Sequence, residues 1–468
     1  MTVLFDDSDD FAFSVAVIVV GAGACGSVAA LAAHGKGAEV LVLERDPVPR
    51  GNTALSGGQI PAGGTRLQQK AGIEDAPEIL EKDILAKAKN QCDPVIAKHI
   101  ALAARDTVDW LVEDVVLPLS CIDDFQYPGH SRMHMHASPS RFGAELMDVL
   151  TQRLSERDID LLTSATVVNL FAARDGTIRG VRIARPDGSQ EDVGCQALIL
   201  ACNGYGGNKE LVARYIPGMS QAHYHGHPGN RGDAVIWGEQ LGASIKDLGS
   251  YQGHGAVCTP HMVHLGWPVF TQGGFQVNKE GRRFSNENAG YSEQALKVLT
   301  QTDGLAWAIW DKRCDDIAMQ MHSHVEAKER GAIKRFDSAG ELAGFIGCDP
   351  ATIQGTLDEV AAIARREAAC PWGRDFGGFP ALEAPYFCAK ITGALFHTQG
   401  GLEVDTAGRV LRPDGSAFPN LFAGGGAARG VSGPADWGYM SGSGLMMAVN
   451  LGRLAGEAAA EQTQRQAA

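Results

Sequence analysis

The sequence predicts an α/β fold built on a mostly parallel sheet, and three observations predict it. A β-branched apolar run at 14–20 is followed at once by the glycine-rich turn G-A-G-A-C-G at 21–26. An alanine-rich helical stretch then leads to a second apolar run, which ends in Glu44. The chain has 468 residues, more than a single hydrophobic core usually serves, so we expect two domains or one large domain with an insertion.

Composition excludes several classes of protein. The hydrophobic share of 44% excludes a disordered chain, and no apolar run is long enough for stable membrane insertion. The net charge of −14 argues against nucleic acid or an anionic membrane surface as the main partner. The ten cysteines are scattered without metal-finger spacing, and the acidic start lacks a signal-peptide pattern. We therefore expect a reduced, cytoplasmic protein.

The first elements form a dinucleotide-binding unit. The run 14–20 is typical of a buried parallel strand, 27–35 of a helix, and 38–43 of a second strand. Glu44 follows the last glycine of the turn by 18 residues. Glycines let backbone N–H groups approach a pyrophosphate at the helix N-terminus, and the acid binds the ribose hydroxyls. The alternative is a glycine turn needed only for tight packing.

Later glycine-rich segments favour a flavin over a nicotinamide. Small residues at 51–58, just after the ribose acid, would let the chain pass beside an isoalloxazine ring. A strand at 197–201 runs into Asn203-Gly204-Tyr205-Gly206-Gly207, and Arg231-Gly232-Asp233 opens a helix that ends at Gly242. A strand at 420–423 runs into Gly424-Gly425-Gly426, and a last helix begins near Ser443 and continues through 455.

Nine motifs occur in an order that resembles one family. The order resembles that of the flavoprotein subunits of fumarate reductase and succinate dehydrogenase and of the related 3-ketosteroid dehydrogenases, and the site motifs are closest to those of the 4-ene-forming type. The motifs are GAGACG, ERD, GNTALSGG, ALILACNGYGGN, RGDAVIWGEQLGA, EGRRFSNE, FHTQGG, FPNLFAGGG and GYMSGSGLMMAVNLGRLAGE. The resemblance covers roughly 15–457.

The resemblance implies a domain plan. A Rossmann-like FAD-binding domain, at 12–250 and 398–468, would be interrupted by an α+β cap domain at 251–397. The substrate would bind between them at the flavin face. Helices are expected in the cap at 291–299 and 349–366.

The resemblance also implies which residues bind FAD. No histidine occurs in Asn52-Thr53-Ala54-Leu55, where the membrane-bound members attach FAD covalently, so non-covalent FAD is expected. Gly426 stands where the family usually has a glutamate for the ribityl chain, so backbone contacts would substitute there. The expected cofactor-binding residues are Gly21, Gly23, Ala24, Cys25, Gly26, Glu44, Arg45, Asn52, Thr53, Ser56, Gly57, Gly58, Val167, Ala201, Asn203, Gly204, Asn208, Gly232, Asp233, Gly425, Gly426, Ser443, Gly444 and Leu445.

Five further positions match the family's substrate site. His254 falls in register with the histidine of a Q-x-H motif, and His397 matches a substrate-facing histidine. Tyr291 and Tyr439 each stand where the dicarboxylate enzymes have an arginine, and Ser441 follows Tyr439 as in the ketosteroid enzymes. A dicarboxylate needs fixed cations, usually bidentate arginines, to offset its desolvation. Two phenols in place of two guanidiniums therefore favour a neutral ketone.

The implied reaction is an α,β-desaturation of a cyclic, steroid-like ketone. Polarisation of the carbonyl acidifies the α-carbon, a tyrosine (Tyr439 first) removes the α-proton, and the β-hydrogen leaves as hydride to flavin N5. A free phenol has a pKa of about 10, so Tyr439 needs help from Ser441 or from the dipole of the helix that begins near Ser443. The sequence has no haem motif and no iron–sulfur ligands, so an external electron acceptor is expected.

Two rival functions stay open. The first is a fumarate reductase-like or tricarballylate dehydrogenase-like oxidoreductase of a di- or tricarboxylate, and the second is a flavin-binding redox protein without this catalysis. The candidate residues also have structural readings: each tyrosine as a packed aromatic, each histidine as a hydrogen-bonded ring, and Ser441 as a helix N-cap.

Two histidine clusters and an arginine pair complete the candidates. His130, His134 and His136 form one cluster, and His223, His225 and His227 form the other. Neither has a convincing carboxylate or cysteine partner nearby in the sequence, so we predict no metal and expect loop or pocket-lining histidines. Arg282 and Arg283 are expected to form structural ion pairs.

Overall fold

A computed structural model of the chain describes residues 1–6, 10–376 and 378–467. The chain divides into two compact units. Unit 1 comprises Met1–Ile216, Gly226–Tyr251 and His397–Ala468, and its last residue lies outside the described residues. Unit 2 comprises Pro217–His225 and Gln252–Phe396.

Strands and helices alternate along the chain. The strands are β1 Thr2–Phe5, β2 Ser14–Val20, β3 Val40–Leu43, β4 Ile60–Pro61, β5 Ser120–Cys121, β6 Met135–Ala137, β7 Asp160–Leu162, β8 Thr166–Ala172, β9 Ile178–Ala184, β10 Gln190–Leu200, β11 His223–Tyr224, β12 Ile245–Lys246, β13 Tyr251–Cys258, β14 Val263–His264, β15 Phe275–Val277, β16 Leu305–Asp311, β17 Lys334–Phe336, β18 Tyr386–Thr398, β19 Gly401–Leu402, β20 Arg409–Leu411 and β21 Ala417–Ala423. The α-helices are α1 Ala24–Gly35, α2 Gly51–Leu55, α3 Arg66–Lys70, α4 Pro77–Lys87, α5 Pro94–Glu113, α6 Gly143–Glu156, α7 Lys209–Tyr215, α8 Asp233–Leu241, α9 Pro268–Thr271, α10 Tyr291–Leu299, α11 Lys312–Ala318, α12 His322–Glu329, α13 Ala339–Ile346, α14 Pro350–Ala364 and α15 Ser443–Ala467. Short 3₁₀ turns occur at Pro217–Met219, Glu287–Ala289, Thr302–Gly304, Gly425–Ala427 and Asp436–Gly438.

A large sheet organises unit 1. Its strands lie in the order β1-β8-β9-β10-β2-β3-β7, and β21 joins β10. The strands β10, β2, β3 and β7 are parallel, with Val17 opposite both Ala197 and Val40. The side chains of Val17, Ile18 and Val19 are fully buried. A strand covered on both faces has no solvent side, which explains why the sequence shows a continuous apolar run here rather than an alternating pattern.

Two helices that pack on each other cover this sheet. α1 lies against α15, and two glycines of α15 face the α1 backbone. A Cβ on Gly452 would come within 2.5 Å of the Cys25 carbonyl oxygen, and a Cβ on Gly456 would overlap the Ala29 carbonyl oxygen. The small residues therefore set how closely the two helices approach. This contact fixes the N-terminus of α1 beside the sheet.

A second sheet organises unit 2. Its strands lie in the order β14-β13-β18-β16-β15, with β11 and β17 also paired to β18. β16 and β18 run antiparallel, with Trp307 opposite Lys390. One apolar cluster contains Trp310, Phe270 and Phe387. Another contains Phe275 and residues of α13 and α14. Each face of the sheet thus has its own core.

The predicted elements are confirmed, with shifts at their ends. β2 and α10 match their predicted bounds. α1 begins at Ala24 rather than at 27, because Gly23 is its N-cap in extended backbone and the helix starts inside the glycine turn. β3 begins at Val40 rather than at 38. The glycine-rich segment at 51–58 starts with the short helix α2. The α/β fold class is confirmed.

Helix length bears on membrane insertion. Among the described residues, no helix combines the length and the apolar character needed to cross a bilayer.

The α1–α15 contact makes a stability prediction. Gly456→Ala adds a methyl group against the Ala29 carbonyl oxygen, so the helices must separate. We expect it to lower the free energy of unfolding by about 1–3 kcal/mol, the usual cost of overpacking. Gly355→Ala in α14 is the matched control, because nothing lies within 4 Å of the added Cβ. It should be neutral or stabilising, since alanine favours a helix interior. Thermal unfolding of both variants checks this, and equal melting temperatures would contradict it.

Candidate functional site

The site begins at the turn after β2. Gly21 has φ +103, and a Cβ there would lie 2.6 Å from the Ala201 carbonyl oxygen. Gly26 lies in the first turn of α1, and a Cβ on it would overlap the Gly21 carbonyl oxygen. Both positions therefore need glycine so that the turn can bend and the helix can lie close to it. These two glycines are therefore needed for close packing, which is compatible with a binding function for the turn.

Glu44 ties this turn to the end of β3. Its carboxylate accepts the Ala22 N–H at 2.8 Å through Oε2 and the Asp46 N–H at 3.0 Å through Oε1. The residue is 9% exposed. A carboxylate has about four acceptor positions, so two remain for other donors such as hydroxyl groups.

The N-cap residue of α1 is Gly23, which has no side chain to cap the helix. The Ala24 N–H donates to Thr53 Oγ1 at 3.1 Å. The N–H groups of the first turn and the helix dipole make this end suited to an anionic group such as a phosphate.

A cavity opens in unit 1 beside these groups. Seventeen of the predicted cofactor-binding residues line it: Gly21, Gly23, Ala24, Cys25, Glu44, Arg45, Asn52, Thr53, Ser56, Val167, Ala201, Asn203, Asp233, Gly425, Gly426, Gly444 and Leu445. A carboxylate at one place and the N–H groups of a helix N-terminus at another fit the ribose and the pyrophosphate of FAD. The residues of this cavity therefore fit the cofactor.

Seven predicted binding residues do not line the cavity: Gly26, Gly57, Gly58, Gly204, Asn208, Gly232 and Ser443. Their positions have structural reasons. Asn208 caps α7 by accepting the Glu210 and Leu211 N–H groups, and Gly232 is the left-handed N-cap of α8. A Cβ on Gly58 would press on the backbone of Gly143. The family motifs thus mix residues that face the cavity with residues that shape the chain around it.

One wall of the cavity lies outside the predicted cofactor-binding residues, although His227 was expected to line a loop or a pocket. The lining includes Asp46, His227 and Asn230. His227 Nε2 lies 3.1 Å from Asp46 Oδ2, and the His227 N–H donates to Asn52 Oδ1 at 2.6 Å. Asn230 also donates to Asn52 Oδ1, at 2.9 Å. The sequence feature that could have predicted this wall is the segment His227-Pro228-Gly229-Asn230, which lies between a strand and a helix.

Arg45 and Asp233 form a part-buried ion pair at 2.9 Å in the same wall. Burial raises the pKa of Asp233, although the positive charge of Arg45 opposes the shift. The pair joins the loop after β3 to the first turn of α8.

Gly426 has a polar neighbour. A Cβ at this position would overlap Asn203 Oδ1, which accepts the Gly204 N–H at 2.8 Å. Asn203 is itself left-handed, with φ +65, and lines the cavity. The Asn203 amide therefore occupies the space where a longer side chain at 426 would begin.

His397 and Tyr439 lie together in unit 1. Their ring centroids are 5.4 Å apart at 78°, and Tyr439 is 7% exposed. Burial lowers the pKa of His397 to about 4, so the ring is neutral near pH 7. Gln399 Nε2 donates to His397 Nδ1 at 2.8 Å, and Gln399 Oε1 accepts from Ser432.

The loop that carries Tyr439 is held by a buried histidine. His130 Nε2 donates to the Ser441 carbonyl oxygen at 2.9 Å, and Ser441 Oγ donates to the Pro128 carbonyl oxygen at 3.4 Å. Burial lowers the pKa of His130 to about 4. α15 begins two residues after Ser441, as predicted. The segment 128–130 thus fixes the backbone just after Tyr439.

Two of the clustered histidines have carboxylate partners in the structure, although neither cluster has a convincing one nearby in the sequence. His134 Nδ1 lies 2.5 Å from Asp75, and its Nε2 lies 3.0 Å from Asp83. His227 pairs with Asp46. These partners are distant in sequence, which is why spacing did not reveal them. Within the described residues, no group of His, Cys, Asp and Glu has an arrangement that could hold a metal ion.

In unit 2, His254 is packed between two rings. Its imidazole stacks on Tyr291 with centroids 5.5 Å apart at 22°, and on Phe396 at 5.3 Å and 13°. Burial lowers the pKa of His254 well below its ordinary value, and the neighbouring His264 and His225 add to the effect. The Ala256 N–H donates to His254 Nδ1 at 3.2 Å, so the neutral ring carries its proton on Nε2.

The same cluster contains further neutral rings. His264 lies 5.0 Å from His254, and burial lowers its pKa to about 3. Trp267 packs edge-on against His254 and Tyr291, at 5.3 and 5.6 Å. The ring cluster, defined here as His225, His254, His264, Trp267, Tyr291 and Phe396, is therefore aromatic and uncharged near pH 7.

The predicted ion pair of Arg283 is confirmed. Arg283 and Arg374 both bind the buried Glu287 carboxylate, each at 2.8 Å. Burial alone would raise the pKa of Glu287, but the two guanidiniums hold it below its ordinary value. This network anchors the turn that leads into α10.

Comparisons with known proteins agree with this site. A family model described as an FAD binding domain matches residues 16–442. The chain is 29% identical over 450 residues to a probable fumarate reductase of Shewanella frigidimarina (strain NCIMB 400), with 95% of this chain and 74% of the relative covered. It is 24% identical over 559 residues to 4-oxocyclohex-2-ene-1-carboxylate 5-dehydrogenase of Sinomonas cyclohexanicum, with 93% of each covered.

Two solved structures have a fold similar to that of this chain. The open conformation of a flavocytochrome c3 fumarate reductase superposes with a TM-score of 0.81 at 27% identity, covering 97% of this chain and 79% of that one. A 3-ketosteroid-Δ4-(5α)-dehydrogenase from Rhodococcus jostii RHA1 superposes with a TM-score of 0.77 at 22% identity, covering 96% and 98%. At that identity the likeness shows the fold alone.

The chain belongs to this family of FAD-binding proteins. It is an FAD-dependent oxidoreductase of the fumarate reductase type, a class that acts on CH–CH groups. The predicted cofactor and the suspected family are confirmed.

His134 makes a prediction about pH. Burial would lower its pKa, but the hydrogen bonds and charges of Asp75 and Asp83 outweigh burial and raise the pKa above 6.5. The protonated ring therefore stabilises the fold fully below about pH 6.5 and loses this contribution as the pH rises through the raised pKa. The melting temperature of the wild type should exceed that of His134→Gln most at pH 6, and the difference should narrow towards pH 9.

The control for this series is His223→Gln, which changes an exposed histidine of β11. Its melting temperature should stay close to that of the wild type. A His134→Gln deficit that grows with pH would contradict the assignment of a protonated His134.

Proposed function

We propose that the chain is an FAD-dependent dehydrogenase that introduces a C=C bond α,β to the carbonyl of a neutral cyclic ketone, steroid-like in class. The observation that carries the proposal is the uncharged character of the residues at the family's substrate positions. His254 and Tyr291 lie in the ring cluster of unit 2, and His397 and Tyr439 lie together in unit 1. In this proposal, unit 2 is the cap domain.

The electrostatics of the ring cluster support a neutral substrate. Burial lowers the pKa of its three histidines, His225, His254 and His264, so these rings offer hydrogen bonds without positive charge. A buried carboxylate is costly without a paired cation, and bidentate arginine is the usual partner. A ketone needs only an N–H or O–H donor at its oxygen.

Tyr439 is our candidate for the base that removes the α-proton. Its ring packs beside the neutral His397, and the backbone that follows it is held by His130. α15 begins at Ser443, so the positive end of its dipole favours a phenolate over a phenol nearby. Tyr291 is the candidate second phenol, which polarises the carbonyl or supplies a proton.

FAD, when bound, supplies the acceptor for the hydride that leaves the β-carbon. The residues that hold it are the lining of the unit 1 cavity, with Glu44 at the ribose and the α1 N-terminus at the pyrophosphate. No histidine occurs in 51–58, so we propose non-covalent attachment. An external acceptor then reoxidises the cofactor, because the sequence carries no haem motif or iron–sulfur ligands.

A second candidate is a fumarate reductase-like or tricarballylate dehydrogenase-like oxidoreductase of a di- or tricarboxylate. The name of the Shewanella relative favours it. The name of the Sinomonas relative describes a cyclic enone that also carries a carboxylate, so it does not favour one proposal over the other. Tyr291 in place of an arginine favours the ketone more strongly than Tyr439 does, because Tyr439 alone does not exclude a tricarboxylate substrate.

The test of the proposal is Tyr439→Phe, assayed for ketone desaturation with an artificial electron acceptor. Loss of a general base costs about 10²–10⁴-fold in rate, so we expect a fall in kcat of that size. Tyr215→Phe is the control, because it removes a hydroxyl that donates to Glu239 at 2.8 Å on the exposed α7. It should keep wild-type turnover. Acid precipitation of all three proteins should release their FAD equally.

Two results would overturn parts of this proposal. If Tyr439→Phe stays within a few-fold of the wild type, Tyr439 is not the base. If the flavin stays with the acid-precipitated protein, attachment is covalent.

A further inference from the structure

Trp267 presents a buried hydrogen-bond donor that no described residue accepts. The side chain is 6% exposed, and its Nε1 has no partner among the described residues. An indole N–H that is removed from water and left without an acceptor is unfavourable, and native proteins rarely leave such groups unpaired. We therefore expect its acceptor to be a group outside the chain, either a ligand or an ordered water.

The surroundings of Trp267 distinguish it from other buried tryptophans. Trp310 Nε1 donates to Asp315 at 3.3 Å, so that donor is satisfied within unit 2. Trp237 Nε1 is also unpaired, but Trp237 lies in the apolar core of unit 1. Trp267 instead packs against His254 and Tyr291, the two unit 2 residues that our proposed function places at the substrate.

Local structure holds the Trp267 ring in place. The residue is the N-cap of α9, with Pro268 as the first residue of that helix. Its ring packs on Phe270, one turn further along, with centroids 4.6 Å apart. A ring fixed by backbone and packing loses little freedom when its N–H binds a ligand, which is the property expected of a specificity residue.

We propose that Trp267 is a substrate-binding residue that donates its indole N–H to an oxygen of the substrate. His254, whose proton lies on Nε2, offers a second uncharged N–H from a ring 5.3 Å away. Two neutral donors suit a carbonyl oxygen. This inference rests on the proposed function for the class of substrate, a neutral ketone, but the donor itself follows from the unpaired Nε1.

The experiment uses the full-length FAD-loaded protein with ¹⁵N-labelled tryptophan. The indole N–H resonance that is absent from the spectrum of Trp267→Phe belongs to Trp267. The probes are 5α-androstane-3,17-dione, its 3-deoxo and 17-deoxo counterparts, and succinate. Flavin absorbance under anaerobic conditions is followed in the same samples. Trp237→Phe is the matched control, because it removes the other unpaired indole N–H.

We expect the dione to move the Trp267 proton resonance downfield and to bind Trp267→Phe about ten-fold more weakly than the wild type, the effect of one lost hydrogen bond. The wild type should bind one of the two deoxo compounds about ten-fold more weakly than it binds the dione. Trp267→Phe should bind that deoxo compound and the dione with equal affinity. Trp237→Phe should keep the discrimination. Equal melting temperatures and FAD content show that each variant is folded.

The outcomes separate this inference from the proposed function. If the dione bleaches the flavin while the Trp267 resonance does not move and the variant keeps its discrimination, Trp267 is not a binding residue and the proposed function stands. If succinate alone moves the resonance, the donor binds substrate but the ketone proposal is wrong. If no probe moves the resonance or bleaches the flavin, both are overturned.

Discussion

The cofactor half of the molecule depends on one carboxylate. Glu44 accepts N–H groups from Ala22 in the glycine turn and from Asp46 after β3, and so holds together the two chain segments that border the cavity. The turn can reach this position only because Gly21 takes a left-handed conformation close to the Ala201 carbonyl oxygen. The start of α1 then faces the same cavity. Glu44, the glycine turn and the α1 N-terminus are therefore the groups that the cavity presents to a bound cofactor.

The candidate substrate residues obey a different constraint. His397 in unit 1 and His254 in unit 2 are both neutral because burial lowers their pKa values, and each lies beside a tyrosine. The guanidiniums of Arg283 and Arg374 in unit 2 are committed to Glu287. These two guanidiniums therefore have a structural role. Hydrogen bonds from neutral rings are what the candidate residues offer, and these suit a carbonyl oxygen.

Local sequence predicted the elements best where one physical cause dominates. β2 was predicted with its bounds, because a fully buried parallel strand needs a continuous β-branched run. α1 was predicted three residues short, since the same glycines form the turn and the first helical turn. The carboxylate partners of His134 could not be predicted, because Asp75 and Asp83 lie 59 and 51 residues away. The unpaired Trp267 N–H likewise appears only when its surroundings are known.

The central claim is that the substrate is a neutral ketone that loses hydrogen to the flavin. An anaerobic titration of the yellow protein tests it most directly, with a saturated 3-ketosteroid, a cyclohexanone carboxylate, succinate and tricarballylate added separately. Bleaching of the flavin's visible absorption by a ketone, with no response to succinate or tricarballylate, is the predicted result. Bleaching by succinate or tricarballylate alone would contradict the account, because it would mean that Tyr291 and Tyr439 do not exclude a carboxylate substrate.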